Sequence, residues 1–579
     1  MFLSDALSRP DVLGALLLLA GCAAFRKRSL GYPGAVALTL LTTAATTAVV
    51  LAGWFAVTSP PNAVAHLIQW NDAAGFLDCA RAYLLDAPPA PGCGLRPYYS
   101  LYLGGLMAAA DGWFQIALPL QAAVAGFAIG IAASCIGRTS GASLACAFAA
   151  ALLVFAAQFV GTTLTENSGL VLGILAFAAL WRAGDRATAP TLFAVFFVLG
   201  LAFNARPGAI FALPAILALF LFLAPASRWV RLARTTAGIG ALVLAWAASG
   251  WLSSRLGGPD AVHQLNFAHM AYGNSVGATT YLQIYIDHPE LAALQPEAFG
   301  PAALRLAIDN VLHRPHLFAL GCLRGAAHYL YNLFAYVPFL PLRAVLILCW
   351  LVGIAVSLRH WRDGRARILL CAQAGVLTAA PMLTYYGGFR IFSVTYPVDA
   401  LLVAQGAVAL LRARRATAEY RLHTVDRFAW GAFTAAALPL AAMPAILAAP
   451  PLATISAAIS CPPGQTPLIV DLGRDTSAVT LVSDESEKFL PLRVDHTAFA
   501  KGLDVWIAHR DQLRALPAGT SLVQAGQRGI DGTGNGYRFL WPHPLPPEGR
   551  SEVCLAHLDS WLPVASRFEP LTDNRTASE

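Results

Sequence analysis

Twelve apolar segments constrain the fold of this chain more than any other feature. They lie at about 11–25, 34–57, 114–136, 142–162, 168–182, 190–203, 209–224, 235–252, 338–358, 367–386, 391–411 and 428–449. A helix needs roughly 20 apolar residues to cross the hydrocarbon core of a bilayer, and the shorter segments are expected to extend at their ends. Only 12% of the 579 residues are charged, against roughly 25% in soluble domains. The sequence therefore predicts a polytopic helical membrane protein.

Arginine clusters fall in alternate connections between these segments, which predicts the orientation of the chain. Under the positive-inside rule the arginine-rich connections are cytoplasmic. The remaining connections, and everything after residue 450, then lie outside the cytoplasm. The six cytoplasmic connections contain, in order along the chain, Arg26-Lys27-Arg28; Arg138; Arg182 and Arg186; Arg228, Arg231 and Arg234; Arg359, Arg362, Arg365 and Arg367; and Arg412, Arg414 and Arg415.

Two long segments on the outer side interrupt the predicted bundle, at 58–113 and 253–337. The second contains amphipathic runs at 301–312 and 316–334. Apolar positions recur at helical spacing over 302–311, although Arg305 and Asp309 lie within that run. This pattern is typical of a helix that lies in the membrane interface rather than across the bilayer.

The composition changes after residue 450. Short β-like runs at 469–472, 478–482 and 537–541 are separated by Gly- and Pro-rich turns. The sequence thus predicts an all-α polytopic bundle of about 12 transmembrane helices over 1–449, with interface helices outside the cytoplasm. A small β-rich soluble domain is expected over 450–579.

The cysteines divide according to the predicted compartment. Cys79 and Cys93 share the first outer segment, and Cys461 and Cys554 bracket the C-terminal region. Both pairs are candidate disulfides, because an oxidising compartment favours such bonds. No Cys-x-x-Cys motif occurs, so we expect neither a zinc site nor a redox dithiol.

Ionisable residues occur at the outer ends of several apolar segments, where they are costly unless they pair, line a wet cavity or bind a ligand. Arg390 lies on the side where the positive-inside rule disfavours arginine, although a snorkelling helix-end arginine is an alternative. Glu166 could complement a helix dipole or pair with Arg206. Each lone histidine is more often structural than catalytic. Because every outer connection contributes such residues, they could converge on one cavity.

The order of short motifs along 60–410 resembles the GT-C superfamily of integral-membrane glycosyltransferases, which includes the protein O-mannosyltransferases and the lipid A aminoarabinose transferase. An acidic residue in the first outer segment is followed by an Arg-Pro helix start, a Thr-Glu pair, an Arg-Pro turn, a His- and Pro-containing amphipathic segment and a late Gly-Phe-Arg. The corresponding residues are Asp72, Arg96-Pro97, Thr165-Glu166, Arg206-Pro207, His313 to His316 and Gly388-Phe389-Arg390.

The resemblance implies a polyprenyl-phosphate sugar donor and a glycan, lipid or protein acceptor outside the cytoplasm, in a bacterial inner membrane. It implies that Asp72 is the catalytic base and that Arg96, Glu166, Arg206 and Arg390 line the donor cavity. Nucleic acid is not an expected partner. Further side chains that could contact substrate are Asp78, Tyr98, His263, His269, His313, His316 and Tyr386.

One departure from the family pattern bears on the mechanism. Many relatives carry a second acidic residue beside the first, whereas Asn71 precedes Asp72 here, and Asp78 follows six positions later. We therefore expect no cofactor and no divalent metal. A single base that activates the acceptor for direct attack would invert the anomeric centre. The alternative is a flippase or transporter for a lipid-linked sugar, but the internal symmetry common in transporters is not found in the sequence.

Overall fold

The structure is a computed structural model, and the residues that it describes fall into helices and short strands. The described residues are 12, 14–19, 30–56, 63–64, 68–69, 71–84, 93–110, 114–256, 265–277, 283–294, 296–337, 339–412, 461–463, 465–472, 477–480, 521–524, 538–541, 549–556 and 564–570.

Sixteen α-helices make up most of the part of the chain that the structure describes. They are α1 Tyr32–Ala56, α2 Asn71–Leu84, α3 Pro97–Ala109, α4 Phe114–Ser140, α5 Ala142–Ala156, α6 Glu166–Ala183, α7 Ala189–Ala205, α8 Ala212–Ala218, α9 Arg228–Leu256, α10 Leu265–Ser275, α11 Gln283–Asp287, α12 Pro296–His313, α13 Pro315–Asn332, α14 Leu340–Arg359, α15 Gly364–Gly387 and α16 Tyr396–Arg412. A π-helical turn, Leu219–Leu223, continues α8, and four 3-10 helices are Cys93–Leu95, Gly184–Arg186, Pro289–Ala293 and Gly388–Phe392.

Six of the described helices, α1, α4, α6, α9, α14 and α15, are long and apolar enough to cross a membrane. Four shorter apolar helices lie at 142–156, 189–205, 212–223 and 396–411. The predicted helical membrane fold is confirmed at this level, while the full count of twelve spans stays a prediction. The apolar segment at 428–449 lies outside the described residues, and that at 11–25 is described only at residues 12 and 14–19.

The helices of the second outer segment begin as their sequence suggests. The predicted amphipathic runs correspond to α12 and α13, and each helix starts with a proline in its first turn, where proline loses no intrahelical hydrogen bond. Helices α10 to α12 share a small apolar core, separate from that of the main bundle, which includes Tyr272, Phe299 and Ala303. These three helices therefore have a core of their own, whereas α13 contributes Tyr329 to the core of the main bundle.

Small residues let the helices of the main bundle approach closely. A Cβ atom at Gly353 on α14 would collide with the backbone of Leu402, and one at Gly406 on α16 with the backbone of Cys349. These reciprocal glycine contacts allow the α14 and α16 backbones to touch. Such contacts matter in a membrane, because close van der Waals packing and not the hydrophobic effect drives helix association there.

The arginine-rich end of the bundle is tied together by an ion pair. Arg367, near the start of α15, pairs with Asp185, which follows α6. Arg234 on α9 donates a hydrogen bond to the Asp185 carbonyl at 3.3 Å. Since α6 runs from Glu166 to this end, Glu166 lies at the opposite end of the bundle.

Two strands of two residues each, β1 Ala63–Val64 and β2 Ile68–Gln69, form an antiparallel pair before α2. Short strands also account for most of the described residues after 460. The later strands are β3 Gln465–Leu472, β4 Ser477–Thr480, β5 Ser521–Gln524, β6 Arg538–Trp541, β7 Gly549–Ala556 and β8 Val564–Pro570, in the order β3-β7-β8-β6-β5-β4. The long connections between them lie outside the described residues. The predicted β-rich domain over 450–579 therefore stays a prediction.

Both predicted cysteine pairs are confirmed. Cys79 on α2 is bonded to Cys93, with Cα atoms 5.4 Å apart. Cys461 is bonded to Cys554 on β7, with a corresponding distance of 5.5 Å. The first bond anchors α2 to the short helix that precedes α3.

Candidate functional site

Charged side chains from four helix ends meet at the end of the bundle opposite Asp185. The Arg390 Nε atom lies 3.0 Å from Glu166 Oε1, and the Arg390 Nη2 atom lies 3.5 Å from Asp72 Oδ2. The Arg206 Nη2 atom lies 3.2 Å from the same Glu166 oxygen. Together with Arg96, these residues form what we call the arginine–carboxylate cluster.

The carboxylates of the cluster lie at the starts of helices, and two of its arginines lie after the ends of helices. Asp72 lies in the first turn of α2, and Glu166 is the first residue of α6. A carboxylate at a helix N-terminus is stabilised by the helix dipole. Arg206 directly follows α7, and Arg390 lies in the 3-10 helix after α15. The predicted dipole role of Glu166 and its predicted pairing with Arg206 are thus both present in one arrangement.

Exposure increases across the cluster from Glu166 to Asp72. The Glu166 side chain is completely buried, and those of Arg206 and Arg390 are 17% and 21% exposed. The Asp72 side chain is 61% exposed. The buried carboxylate thus holds two arginines, while the exposed carboxylate at the rim is accessible to a ligand.

Arg96 adds a third cation to the cluster. It precedes α3, and its Nη1 atom donates to the carbonyl of Leu95 at 2.6 Å. Burial and, to a smaller extent, repulsion from Arg206 lower the pKa of Arg96 to about 10, although attraction by Glu166 and Asp72 opposes this shift. The guanidinium is therefore still a cation at neutral pH. The cluster holds three arginines and two carboxylates, so positive charge is in excess by one.

A buried non-helical loop, residues 157–165, leads from α5 to Glu166. Backbone groups that are buried away from water need hydrogen-bond partners, and this need is strictest at membrane depth. Gln69 meets part of it, because its Oε1 atom accepts from the backbone N–H of Thr163 at 2.8 Å and its Nε2 atom donates to the Gly161 carbonyl at 3.4 Å. The Thr163 hydroxyl in turn donates to the Ala73 carbonyl. Gln69 and Thr163 therefore join the start of α2, with Asp72, to the loop before Glu166.

Two further buried amides complete the support of this loop. Gln121 on α4 donates to the Thr162 carbonyl at 2.8 Å and accepts from the Tyr99 hydroxyl at 3.1 Å. Asn167 on α6 donates to the carbonyls of Phe159, Thr162 and Leu164 at 2.9 to 3.0 Å. The sequence interpretation missed the roles of Gln69 and Gln121. The only available signal was the presence of uncharged amides beside or within apolar segments.

Two glycines allow the Arg390 segment to approach α6 and α7. A Cβ atom at Gly173 would collide with the backbone of Val394, and one at Gly208 with the backbone of Ile391. Without these close approaches, Arg390 could not reach the carboxylate of Glu166. Uncharged glycines therefore contribute to the geometry of the cluster.

Aromatic rings form the surroundings of Arg390 on the bundle side. The rings of Phe155 and Tyr396 stack with centroids 3.6 Å apart. Phe389, the neighbour of Arg390, lies 5.4 Å from Tyr336 and 6.0 Å from Phe155 between ring centroids. The cluster thus lies against an apolar wall.

Several of the predicted substrate-contacting residues lie elsewhere. Asp78 follows Asp72 by six residues on α2, which is about 240° around the helix, so the two do not form an acidic pair. His269 packs between the rings of Tyr285 and Phe299, at 5.2 and 4.8 Å between centroids. This environment makes His269 part of the small apolar core of α10 to α12.

The other residues predicted to contact substrate also lie outside the cluster or outside the described residues. Tyr98 is buried in α3. His313 is exposed, and its Nδ1 atom lies 3.0 Å from Asp309 one turn earlier; His316 is also exposed. His263 and the side chain of Tyr386 lie outside the described residues.

Within the ranges that the structure describes, no three His, Cys, Asp or Glu side chains form a group that could hold a metal ion. The fold and the cluster together define the class as a helical, membrane-type protein with a charged site at one end of its bundle. Comparisons with protein-family models and with curated proteins find no match to the chain.

Proposed function

We propose that this protein is a GT-C-like membrane glycosyltransferase that moves a sugar from a polyprenyl-phosphate donor to an acceptor outside the cytoplasm. The observation that carries the proposal is the arginine–carboxylate cluster, in which three cations and one accessible carboxylate meet at the ends of apolar helices. The sequence resemblance assigns catalytic and donor-binding roles to these same residues.

The excess of positive charge suits an anionic phosphate group. The planar fork of arginine matches phosphate oxygens, and charge-assisted bonds are stronger than neutral ones. Glu166 alone cannot neutralise both Arg206 and Arg390, and Asp72 is the further carboxylate that pairs with Arg390. In this proposal Glu166 positions the two arginines, and Arg96 contributes the third positive charge.

The proposed reaction requires one base and a stabilised leaving group. The Asp72 carboxylate accepts the proton of the acceptor hydroxyl as the hydroxyl oxygen attacks the anomeric carbon. The bond between that carbon and the donor phosphate oxygen breaks, and the electron pair leaves with the phosphate. Arginines stabilise this developing negative charge. Direct attack by a single nucleophile inverts the anomeric centre.

The proposed orientation places the cluster on the extracytoplasmic side of a bacterial inner membrane. Arginine-rich connections occupy the opposite end of the bundle. The two disulfides, Cys79–Cys93 and Cys461–Cys554, lie in segments assigned to the outer side, as an oxidising compartment favours. Residues 450–579 would form an accessory domain on that side.

The decisive variant is Asp72→Asn, which removes the base and keeps the shape of the side chain. The matched control is Asp309→Asn, because Asp309 on α12 has a similar exposure, 66% against 61%. Purified full-length variants are incubated with polyprenyl-phosphate sugars extracted from bacterial membranes, and glycoside products are identified by mass spectrometry.

We expect Asp72→Asn to lose at least about 100-fold in transfer rate, within the range of general base catalysis. Asp309→Asn should act like the wild type. Transfer by Asp72→Asn at the wild-type rate would show that Asp72 is not the base. A wild-type protein that moves lipid-linked sugar across vesicles but forms no glycoside would instead be a flippase.

A further inference from the structure

Another carboxylate, Asp399, is buried inside the bundle, beside the aromatic residues Phe389 and Tyr396 that adjoin the arginine–carboxylate cluster. It lies in the first turn of α16 and is completely inaccessible to solvent. Its Oδ1 atom accepts hydrogen bonds from Trp350 Nε1 at 3.0 Å and from the Tyr329 hydroxyl at 3.2 Å. Across the described residues, no Arg, Lys or His forms an ion pair with Asp399, and its Oδ2 atom has no hydrogen-bond partner. An ionisable side chain that is buried in a bundle of apolar helices is expected to have a function.

A neighbouring buried amide, that of Gln373, also has an oxygen without a hydrogen-bond donor among the described residues. Gln373 on α15 is buried, and its Nε2 atom donates to the Tyr329 hydroxyl at 3.2 Å. The Gln373 Oε1 atom has no donor among the described residues. One network joined through Tyr329 therefore contains two buried acceptor oxygens that lack donors, and each such oxygen is costly in an apolar interior.

A small pocket adjoins this network. Asp399 lines it together with the aromatic residues Tyr329, Phe389, Phe392 and Tyr396. Its free space is about that of one water molecule. The pocket is too small for a sugar ring, but it matches a monatomic ion or a primary ammonium group in size.

Carboxylate and aromatic groups together select for positive charge. The faces of aromatic rings attract cations, and more strongly when water is excluded. A buried carboxylate without a cationic partner is unfavourable, and a bound cation would remove that cost. A divalent ion such as Mg²⁺ usually needs more ligands and retains several waters, for which this pocket has no room.

We propose that the Asp399 pocket binds a small monovalent cation, with Asp399 Oδ2 as its principal partner. The cation is either an inorganic ion such as Na⁺ or K⁺ or the primary ammonium group of an organic ligand. Because Phe389 lines the pocket and precedes Arg390, the bound cation would also stabilise the Gly388–Phe392 segment. The inference goes beyond the proposed sugar transfer and does not depend on it.

The test measures thermal unfolding of full-length protein in detergent at constant ionic strength. Na⁺, K⁺, ammonium and methylammonium chlorides are compared with choline chloride, because choline is too large for the pocket. We expect at least one small cation to raise the melting temperature of the wild type by about 3 °C or more, in a saturable manner. Saturation by Na⁺ or K⁺ would identify an ion, and saturation by methylammonium alone would identify an amine.

Asp399→Asn keeps the size of the side chain and should abolish this response, whereas Asp309→Asn should retain it. If Asp399→Asn does not fold, Gln373→Leu serves in its place and should raise the half-saturating concentration at least about threefold. An equal response in wild type and variant, or no response to any small cation, would overturn the proposal and indicate a neutral, protonated Asp399. None of these measurements uses sugar transfer, so the outcome is independent of the Asp72→Asn experiment.

Discussion

Replacement of Glu166 is the strongest test of the arginine–carboxylate cluster as a folded arrangement. The buried carboxylate pairs with Arg206 at 3.2 Å and with Arg390 at 3.0 Å. Glu166→Ala would leave both guanidinium groups without their shared partner. Glu166→Gln would retain an acceptor oxygen but remove the charge. Both variants should destabilise the protein, and alanine should do so more.

The magnitude follows from burial and geometry. Loss of one partner from a buried ion pair costs about 3–5 kcal/mol. The arginines are 17% and 21% exposed, so water can partly solvate them in the variant. The contacts of Glu166 Oε1 are ion pairs rather than well-directed hydrogen bonds. This also favours a loss of stability at the lower end of the range of about 3–5 kcal/mol. We expect a loss of about 3 kcal/mol for Glu166→Ala and about half of that for Glu166→Gln.

The assay is reversible unfolding of the full-length protein in mixed micelles with increasing SDS. A loss of 3 kcal/mol lowers the folding equilibrium constant by about 100-fold, well within the range of this measurement. Glu290→Gln is the matched control, because Glu290 is 67% exposed and pairs only with His288 among described residues. It should show no measurable change.

A double variant separates the ion pair from a general effect of burial. Glu166→Gln combined with Arg206→Gln should cost less than the sum of the single changes, by about 1 kcal/mol or more, because paired residues are not additive. Strict additivity, or a Glu166→Ala variant within about 0.5 kcal/mol of the wild type, would refute the argument that this carboxylate holds the cluster together.

Three further variants test the surroundings of the site. Replacing Cys79 and Cys93 by serine should cost about 3 kcal/mol in the SDS assay, as expected for a short disulfide loop, and mass spectrometry of the alkylated protein verifies the bond. Gly406→Ala should cost about 1–3 kcal/mol through overpacking against α14, whereas Gly250→Ala, which faces open space, should not. Gln69→Leu should lower the transfer rate at least about 10-fold by misplacing Asp72, with rates read from the same product assay; unchanged rates would exclude a positioning role.

Residue patterns predicted the elements of the fold and part of the site. The free energy of placing apolar residues in water, or charged residues in lipid, depends on short stretches of the chain. Apolar segments and arginine-rich connections can therefore be recognised in the sequence. The pairing of Glu166 with Arg206 could also be predicted, because both residues lie at the same end of adjacent apolar segments. The disulfide between Cys79 and Cys93 follows from their location in one outer segment.

Other residues of the site could not be found in this way. Gln69 and Gln121 support the same loop from separate elements, and an isolated amide gives no periodic signal. Asp399 lies within the apolar segment at 391–411, and its partners Tyr329 and Trp350 come from other helices. Their meeting depends on helix packing, which a local pattern does not contain.

The amino-acid sequence by itself indicated the apolar helices of the bundle, the connections that are rich in arginine and the cysteines that pair. Those properties arise from transfer energies and compartment chemistry that act on short stretches of chain. Only the tertiary structure decided that Arg390 reaches both Asp72 and Glu166 and that Asp399 adjoins an aromatic pocket. The physical reason is that these contacts depend on close backbone approach, for which glycines such as Gly173 and Gly208 must face a neighbouring segment.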